Sequence, residues 1–89
     1  MEYEWDVAKA RTNLHKHGIR FASAVMALED EFAITLRDEN EGEERWITLG
    51  MDDSGNVVVV VYTWRGDCIR VISARPASPA ERKQYREQR

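Results

Sequence analysis

The chain has 89 residues and a formal net charge of −3, with 43% hydrophobic and 33% charged residues, which predicts one globular domain over residues 1–89 and excludes an intrinsically disordered chain. Its acidic start lacks the basic and apolar regions of a signal peptide, and no apolar run is long enough to span a membrane. The single cysteine, Cys68, cannot form an internal disulfide, and these features together predict a cytoplasmic protein.

The first third of the chain predicts a short strand followed by two helices. Residues 2–5 alternate polar and aromatic side chains, as a strand does. Asp6 is a typical N-cap, and Gly18 a typical C-terminal stop, for a helix over residues 7–17. The spacing of apolar residues predicts a second, shorter helix over residues 21–28. On the first helix, one side is apolar and the other carries amines and an amide: Val7, Ala10 and Leu14 against Lys9, Asn13 and Lys16.

The remaining residues predict a series of hairpins and a last helix. A five-valine run, residues 57–61, requires burial on both faces and therefore a central position in the sheet. Ser78 and Glu81 form a capping box, but the helix they begin is polar almost all round, so we expect it to bury little surface. The predicted strands and turns, in chain order, are strand 32–37, charged turn 38–43, strand 45–51, loop 52–56, strand 57–64, turn 65–67 and strand 68–75.

This order of elements predicts an α+β, two-layer domain. Two N-terminal helices cover an antiparallel sheet of four to five strands, and a C-terminal helix follows. We expect the functional surface on the sheet face opposite the first two helices.

The last hairpin offers a candidate RNA platform. A two-residue turn at residues 66–67 predicts that Val60 faces Ser73 and Val58 faces Arg75, which places Trp64, Tyr62, Ser73 and Arg75 on one face. Aromatic rings beside an arginine can stack bases and hold a phosphate. The alternative is that both aromatic residues fill the core.

Several single residues also admit two interpretations. His17 could act as a general acid or base, or it could only stabilise the last helical turn. Arg45 begins a strand on an otherwise apolar face, where it could hold a phosphate or pair with Glu43. Lys9 and Lys16 could bind an anion or remain solvated.

The charges show a further asymmetry, and no cofactor site is visible. Residues 29–53 hold ten acidic and two basic residues, whereas the rest of the chain holds eleven basic and six acidic residues. This separation suits an anion-binding face set against an acidic one, or it is a solvated surface. The sequence has neither metal-ligand spacing nor a glycine-rich nucleotide loop, so we expect no metal and no cofactor. Histidine, lysine and arginine without a metal suit RNA cleavage by the substrate's own 2′-hydroxyl.

Across nearly its whole length the sequence resembles the BrnT toxin family. The matching residues are Tyr3-Glu4-Trp5-Asp6, Lys9, Asn13, Lys16-His17-Gly18-Ile19, Phe21, Glu44-Arg45, Leu49-Gly50, Arg70 to Arg75, Ala77, Glu81-Arg82 and Tyr85. The resemblance implies a ribonuclease toxin of a type II toxin–antitoxin system with a RelE-like fold. It also implies a BrnA-like antitoxin that neutralises the toxin in a hetero-oligomer and contacts DNA on behalf of the complex.

The resemblance also implies which residues act on RNA. The candidate catalytic residues are His17, Arg45 and Arg75, with Arg65, at the turn, as a further candidate beside them, and the candidate substrate-binding residues are Lys9, Asn13, Lys16 and Arg82. For this assignment to hold, cations that are distant in sequence must converge on one pocket. The pI near 5.4 is low for an RNA-cleaving toxin. Two alternatives remain: a non-catalytic module that acts as antitoxin partner and co-repressor, and a small domain whose charges are only solvated.

Overall fold

The computed structural model describes residues 1–38 and 42–88, so part of the predicted turn at residues 38–43 lies outside the described residues. No helix within these two ranges combines the length and hydrophobicity needed to cross a membrane. The elements in chain order are β1 (Glu2–Glu4), α1 (Val7–His17), α2 (Phe21–Ala24), a 3₁₀ segment (Val25–Glu29), β2 (Ile34–Asp38), β3 (Arg45–Met51), β4 (Val57–Arg65), β5 (Cys68–Pro76) and α3 (Pro79–Arg86).

The strands form one five-stranded sheet in the order β1-β5-β4-β3-β2. β2 to β5 pair antiparallel with their neighbours, and the valine-rich β4 lies at the centre, as predicted. The prediction of an antiparallel sheet is wrong at one edge, because β1 pairs parallel to β5 from Glu2 opposite Cys68 to Glu4 opposite Arg70. β1 follows no hairpin turn, since α1, α2 and three strands separate it from β5 in the chain. Its direction is therefore set by tertiary packing.

The capping signals of α1 are confirmed, but the helix buries a different side from the one its apolar residues suggest. The Asp6 carboxylate accepts a hydrogen bond from the Lys9 backbone N–H at 3.1 Å, and Gly18 ends the helix in the left-handed conformation with φ 72°. The buried residue of α1 is the polar Asn13, whereas Val7 and Leu14 are 62% and 39% exposed. On the apolar side of α1, Ala10 is half-buried against the main core, and Val7 and Leu14 are left exposed.

The main core lies between the sheet and the segment from Ile19 to Leu28. The predicted second helix is a single α-helical turn that continues as the 3₁₀ segment. The 3₁₀ segment runs close to β3: an added Cβ on Gly50 would lie 2.5 Å from the Ala27 carbonyl oxygen. The core residues from the two sides are Ile19, Phe21, Ala24, Val25 and Ala27 against Val58, Val60, Tyr62, Ile69, Val71 and Ala74.

A second, smaller core lies on the other face of the sheet, under α3. Tyr85 is 2% exposed and packs with Leu49, Val59 and Ala77. Its hydroxyl donates a hydrogen bond to the Asp30 carboxylate, which joins α3 to the loop before β2. The last helix buries little surface, as expected, since Tyr85 is the one buried residue of α3. That single aromatic side chain, with its polar end hydrogen-bonded, is enough to place α3 against the sheet.

The pairing of β4 with β5 contains a bulge that the sequence did not reveal. The pairs nearest the turn match the prediction, but the register shifts between Val61 and Tyr62. Val60 consequently faces Ala74 instead of Ser73, and Val58 faces Pro76 instead of Arg75. An extra residue in one strand moves every later side chain of that strand to the face opposite the one expected without the bulge. Arg75 therefore lies opposite Val59, on the α3 side of the sheet.

Candidate active site

An open groove of about 320 Å³ lies between α1 and the edge of β5. α1 contributes Lys9, Thr12, Lys16 and His17, which project from successive turns of one helical face. β5 contributes its bulged segment, Ile72 and Ser73. Ala8 and Asn13 complete the lining. The groove therefore joins the polar stripe predicted on the first helix to a strand edge that the sequence did not place beside it.

The groove exists because two different elements cover the edge of β5 on either side of it. The pairing of β1 with β5 ends at Arg70. Further along, the Asn13 side chain takes the place of a strand: its amide donates to the Ala74 carbonyl at 2.9 Å and its oxygen accepts from the Ala74 N–H at 3.1 Å. Residues 72 and 73 lie between these two points, and the groove opens there.

The Asn13 amide also donates a hydrogen bond to the Ile19 carbonyl at 3.1 Å, so both amide protons are used within the protein. With 7% exposure, Asn13 fastens α1 to β5 and to the segment that follows α1. This position gives it a structural role at the base of the groove, and its predicted contact with substrate stays a prediction.

The groove is a cationic site. Its charged lining residues are Lys9 and Lys16, and no carboxylate lines it among the residues that the structure describes. Neither lysine has a carboxylate within 4.0 Å in residues 1–38 and 42–88. His17, half-buried at the C-terminal end of α1, adds an imidazole to the lining of the groove. Two ammonium groups, an imidazole and two hydroxyls can together bind an anion and transfer a proton.

Two of the predicted arginines lie on the other side of the sheet and make structural contacts. The guanidinium of Arg75 holds the Glu81 carboxylate with two hydrogen bonds of 2.8 and 3.0 Å and also donates to the Pro76 carbonyl. This pairing lowers the pKa of Glu81 to about 2 and raises that of Arg75. Arg82 donates to the Ala77 carbonyl at 2.8 Å. Both side chains connect α3 to the end of β5.

The other two predicted arginines lie at the far end of the sheet. Arg45 begins β3 opposite Asp38. Arg65 precedes the β4–β5 turn, and its guanidinium is 4.0 Å from the Glu43 carboxylate. The structure thus separates the predicted site into three groups: the groove with Lys9, Asn13, Lys16 and His17, the α3 side with Arg75 and Arg82, and the sheet end with Arg45 and Arg65.

The predicted aromatic platform is not formed. Tyr62 is 7% exposed in the main core, where its hydroxyl hydrogen-bonds Thr48 at 2.9 Å. Trp64 is 44% exposed, but the bulge places Arg75 on the opposite face. The alternative interpretation, a core residue, is therefore correct for Tyr62.

A family model described as the ribonuclease toxin, BrnT, of type II toxin-antitoxin systems matches residues 5–81. The chain belongs to the BrnT family. The fold is also similar to the 1.1 Å crystal structure of the Brucella abortus ribonuclease toxin BrnT, with a TM-score of 0.66 and 27% identity over 88% of this chain and 97% of that chain. No curated protein sequence matches the chain significantly. The predictions of a BrnT-family member and of a ribonuclease toxin are confirmed.

Membership of the BrnT family gives the groove a context that its geometry alone lacks. A ribonuclease must hold a polyanion and move protons, and the groove is where the structure gathers free cations beside an imidazole. The sequence had indicated five of its residues, Lys9, Asn13, Lys16 and His17 on the helix and Ser73 in the hairpin, but not Thr12, which lies between Lys9 and Lys16 at helical spacing, or Ile72. Thr12 could have been found from that spacing, whereas Ile72 and Ser73 reach the groove through the bulge.

Proposed function

We propose that this BrnT-family toxin is a metal-independent endoribonuclease and that the backbone of its RNA substrate lies in the groove between α1 and β5. The observation that supports the proposal is the convergence of Lys9, Lys16 and His17 beside Ser73 with no carboxylate in the described lining. In this arrangement the ammonium groups hold phosphate oxygens, and the imidazole of His17 transfers protons.

The cleavage reaction that fits these groups uses the 2′-hydroxyl of the RNA. A base removes the hydroxyl proton while the 2′-oxygen forms a bond to the adjacent phosphorus. The bond from phosphorus to the 5′-oxygen of the next nucleotide breaks, and that oxygen takes up a proton. The products are a 2′,3′-cyclic phosphate and a 5′-hydroxyl end. The lysines stabilise the negative charge that grows on the phosphate oxygens in the transition state.

The arginines receive different assignments in this proposal. Arg75 and Arg82 support the site by holding α3 and the end of β5 in place. Arg45 and Arg65, at the far end of the sheet, are proposed to contact RNA outside the cleavage site. Asn13 positions α1, so that the stripe of Lys9 and Lys16 faces β5.

Family membership implies an antitoxin partner. We propose that this partner is BrnA-like, that it forms a hetero-oligomer with the toxin in the cytoplasm and that it alone contacts DNA. We also propose a RelE-like classification for the fold, on the basis of two N-terminal helices packed on one face of the sheet.

The test is RNA cleavage by the purified toxin in the presence of a chelator. We expect wild-type cleavage to persist, His17→Ala to lose about 10²-fold or more, and Lys9→Ala and Lys16→Ala to lose about tenfold each. Lys83→Ala, an exposed lysine of α3, is the matched control and should match wild type. A substrate with a single 2′-deoxy nucleotide at the cleavage site should resist.

Three results would count against the proposal. Activity that disappears with chelator and returns with Mg²⁺ contradicts metal independence. If the groove variants are as active as the Lys83→Ala control, the cleavage site does not lie in the groove. A wild-type protein that binds antitoxin but cleaves no RNA supports the non-catalytic alternative.

A further inference from the structure

The apolar side of α1, which the rest of the chain covers only in part, borders a second groove. Val7 and Leu14 lie two turns apart on one face of the helix and are 62% and 39% exposed. They flank a depression of about 210 Å³ between α1 and the start of α2. Its floor includes Trp5 and Phe21, whose rings pack edge to face with centroids 6.0 Å apart. We call this surface the α1–α2 groove.

The exposed side of a helix in a stable monomer is normally polar. α1 departs from this arrangement on one side, where Val7 and Leu14 remain outward while the polar Asn13 is buried. Three hydrogen bonds from Asn13 fix that rotation of the helix, so Leu14 cannot turn inward while they are intact. A fixed apolar stripe beside a groove with aromatic residues in its floor is typical of a site that receives apolar side chains from another protein.

The charged residues of the α1–α2 groove indicate the chemistry of that protein. Arg11 and Arg20 are both exposed and both line it, and no acidic side chain is part of the described lining. A segment that fits must therefore bring carboxylates to the rim and apolar side chains to the floor. The same residues disfavour a basic segment, since two guanidinium groups would repel it.

We propose that the α1–α2 groove binds an acidic amphipathic segment of the antitoxin. The proposal rests on the toxin–antitoxin pairing given by family membership, and not on the location of the catalytic groove. α1 separates the two surfaces: Lys9 and Lys16 face one, whereas Val7 and Leu14 face the other. A segment bound on the apolar side lies one helix diameter, about 10 Å, from the cationic groove.

Binding of the separately purified cognate antitoxin, measured by calorimetry, tests the proposal. We expect Leu14→Lys and Val7→Lys to weaken binding about 30-fold or more, as for central interface residues. Leu36→Lys is the matched control: Leu36, in the edge strand β2, is 60% exposed, close to the 62% of Val7, and the variant should bind as wild type does. Arg11→Glu should weaken binding about tenfold, and this loss should shrink as salt is raised.

The variants are also assayed for RNA cleavage without antitoxin, since none of them alters the catalytic groove. Cleavage by Leu14→Lys that equals wild type and resists added antitoxin supports the proposal. If Leu36→Lys loses antitoxin binding while Leu14→Lys retains it, the interface lies at β2, and the proposal is overturned. If the wild-type protein is a dimer and Leu14→Lys converts it to a monomer, the groove binds a second copy of the chain, and this outcome also overturns the proposal. A wild-type protein that cleaves no RNA refutes the nuclease proposal but leaves the binding comparison intact.

Discussion

Replacement of Asn13 by alanine should destabilise the protein severely for a single change on one helix. The side chain makes three hydrogen bonds to backbone groups, of 2.9, 3.1 and 3.1 Å, and is 7% exposed. At about 1 kcal/mol for each bond, the loss is about 3 kcal/mol, and the Ala74 N–H left without its partner adds to it. A chain of 89 residues has a total stability of about 4–13 kcal/mol, so the change removes a large fraction.

Urea and thermal unfolding followed by circular dichroism measure this loss. For a domain of this size 1 kcal/mol corresponds to about 4–8 °C, which predicts a fall in Tm of about 12–24 °C for Asn13→Ala. Thr12→Ala is the matched control on the same helix, because its hydroxyl hydrogen-bonds the Ala8 carbonyl in an exposed position. We expect that control to change stability by less than about 0.5 kcal/mol.

A second substitution at the same position separates hydrogen bonding from side-chain volume. Asn13→Asp keeps the oxygen that accepts from Ala74 but directs its other oxygen at two carbonyls, those of Ile19 and Ala74. The charged form should therefore be disfavoured, so the carboxyl pKa should be raised and the variant should regain stability as the pH falls. An Asn13→Ala loss below about 1 kcal/mol, or an Asn13→Asp variant as stable as wild type at pH 7, would refute this role.

Three further predictions concern the sheet and α3. Arg75 lowers the pKa of Glu81 from its ordinary 4.5 to about 2, so the ion pair should stabilise the fold above pH 4.5 and fail as the pH falls toward 2. Glu81→Gln should abolish that dependence and cost about 1 kcal/mol at neutral pH, because the Arg75 side chain is 46% exposed and solvent screens the pair. Gly50→Ala should lower the urea midpoint by the equivalent of about 1–3 kcal/mol, since its methyl would meet the Ala27 carbonyl. Tyr85→Phe should cost about 1–2 kcal/mol and Tyr85→Ala about 3–5 kcal/mol in the same assay, and a Tyr85→Phe variant as stable as wild type would mean that the hydroxyl contributes nothing.

Local signals were the part of the fold that the sequence predicted well. The cap at Asp6 and the left-handed stop at Gly18 depend on hydrogen bonds within a few residues, and so does the capping box of Ser78 and Glu81. The parallel pairing of β1 could not be predicted in the same way, because β1 and β5 are more than 60 residues apart and no turn connects them. Local chemistry specifies where an element begins, whereas its partner strand is a property of the whole packed chain.

The same contrast between local signals and long-range pairing applies to the candidate site. Lys9, Lys16 and His17 share one helix, so their helical spacing alone brought them together correctly. The predicted convergence of Arg75 with Tyr62 depended on counting residues through a hairpin, and one bulge reversed the count. Nothing in the sequence around Ile72 marks a bulge, since no glycine or proline stands there. A register inferred from a turn is reliable up to the first bulge and is lost beyond it.

The different use of arginine and lysine explains how a chain of net charge −3 can present a cationic groove. The two arginines of β5 are each held by a carboxylate: Arg70 by Glu4 at 2.7 Å and Arg75 by Glu81 at 2.8 Å. The planar guanidinium suits such fixed pairing, and its charge is then cancelled locally. The lysines of α1 have no such partner among the described residues, so their charge remains available to an anion.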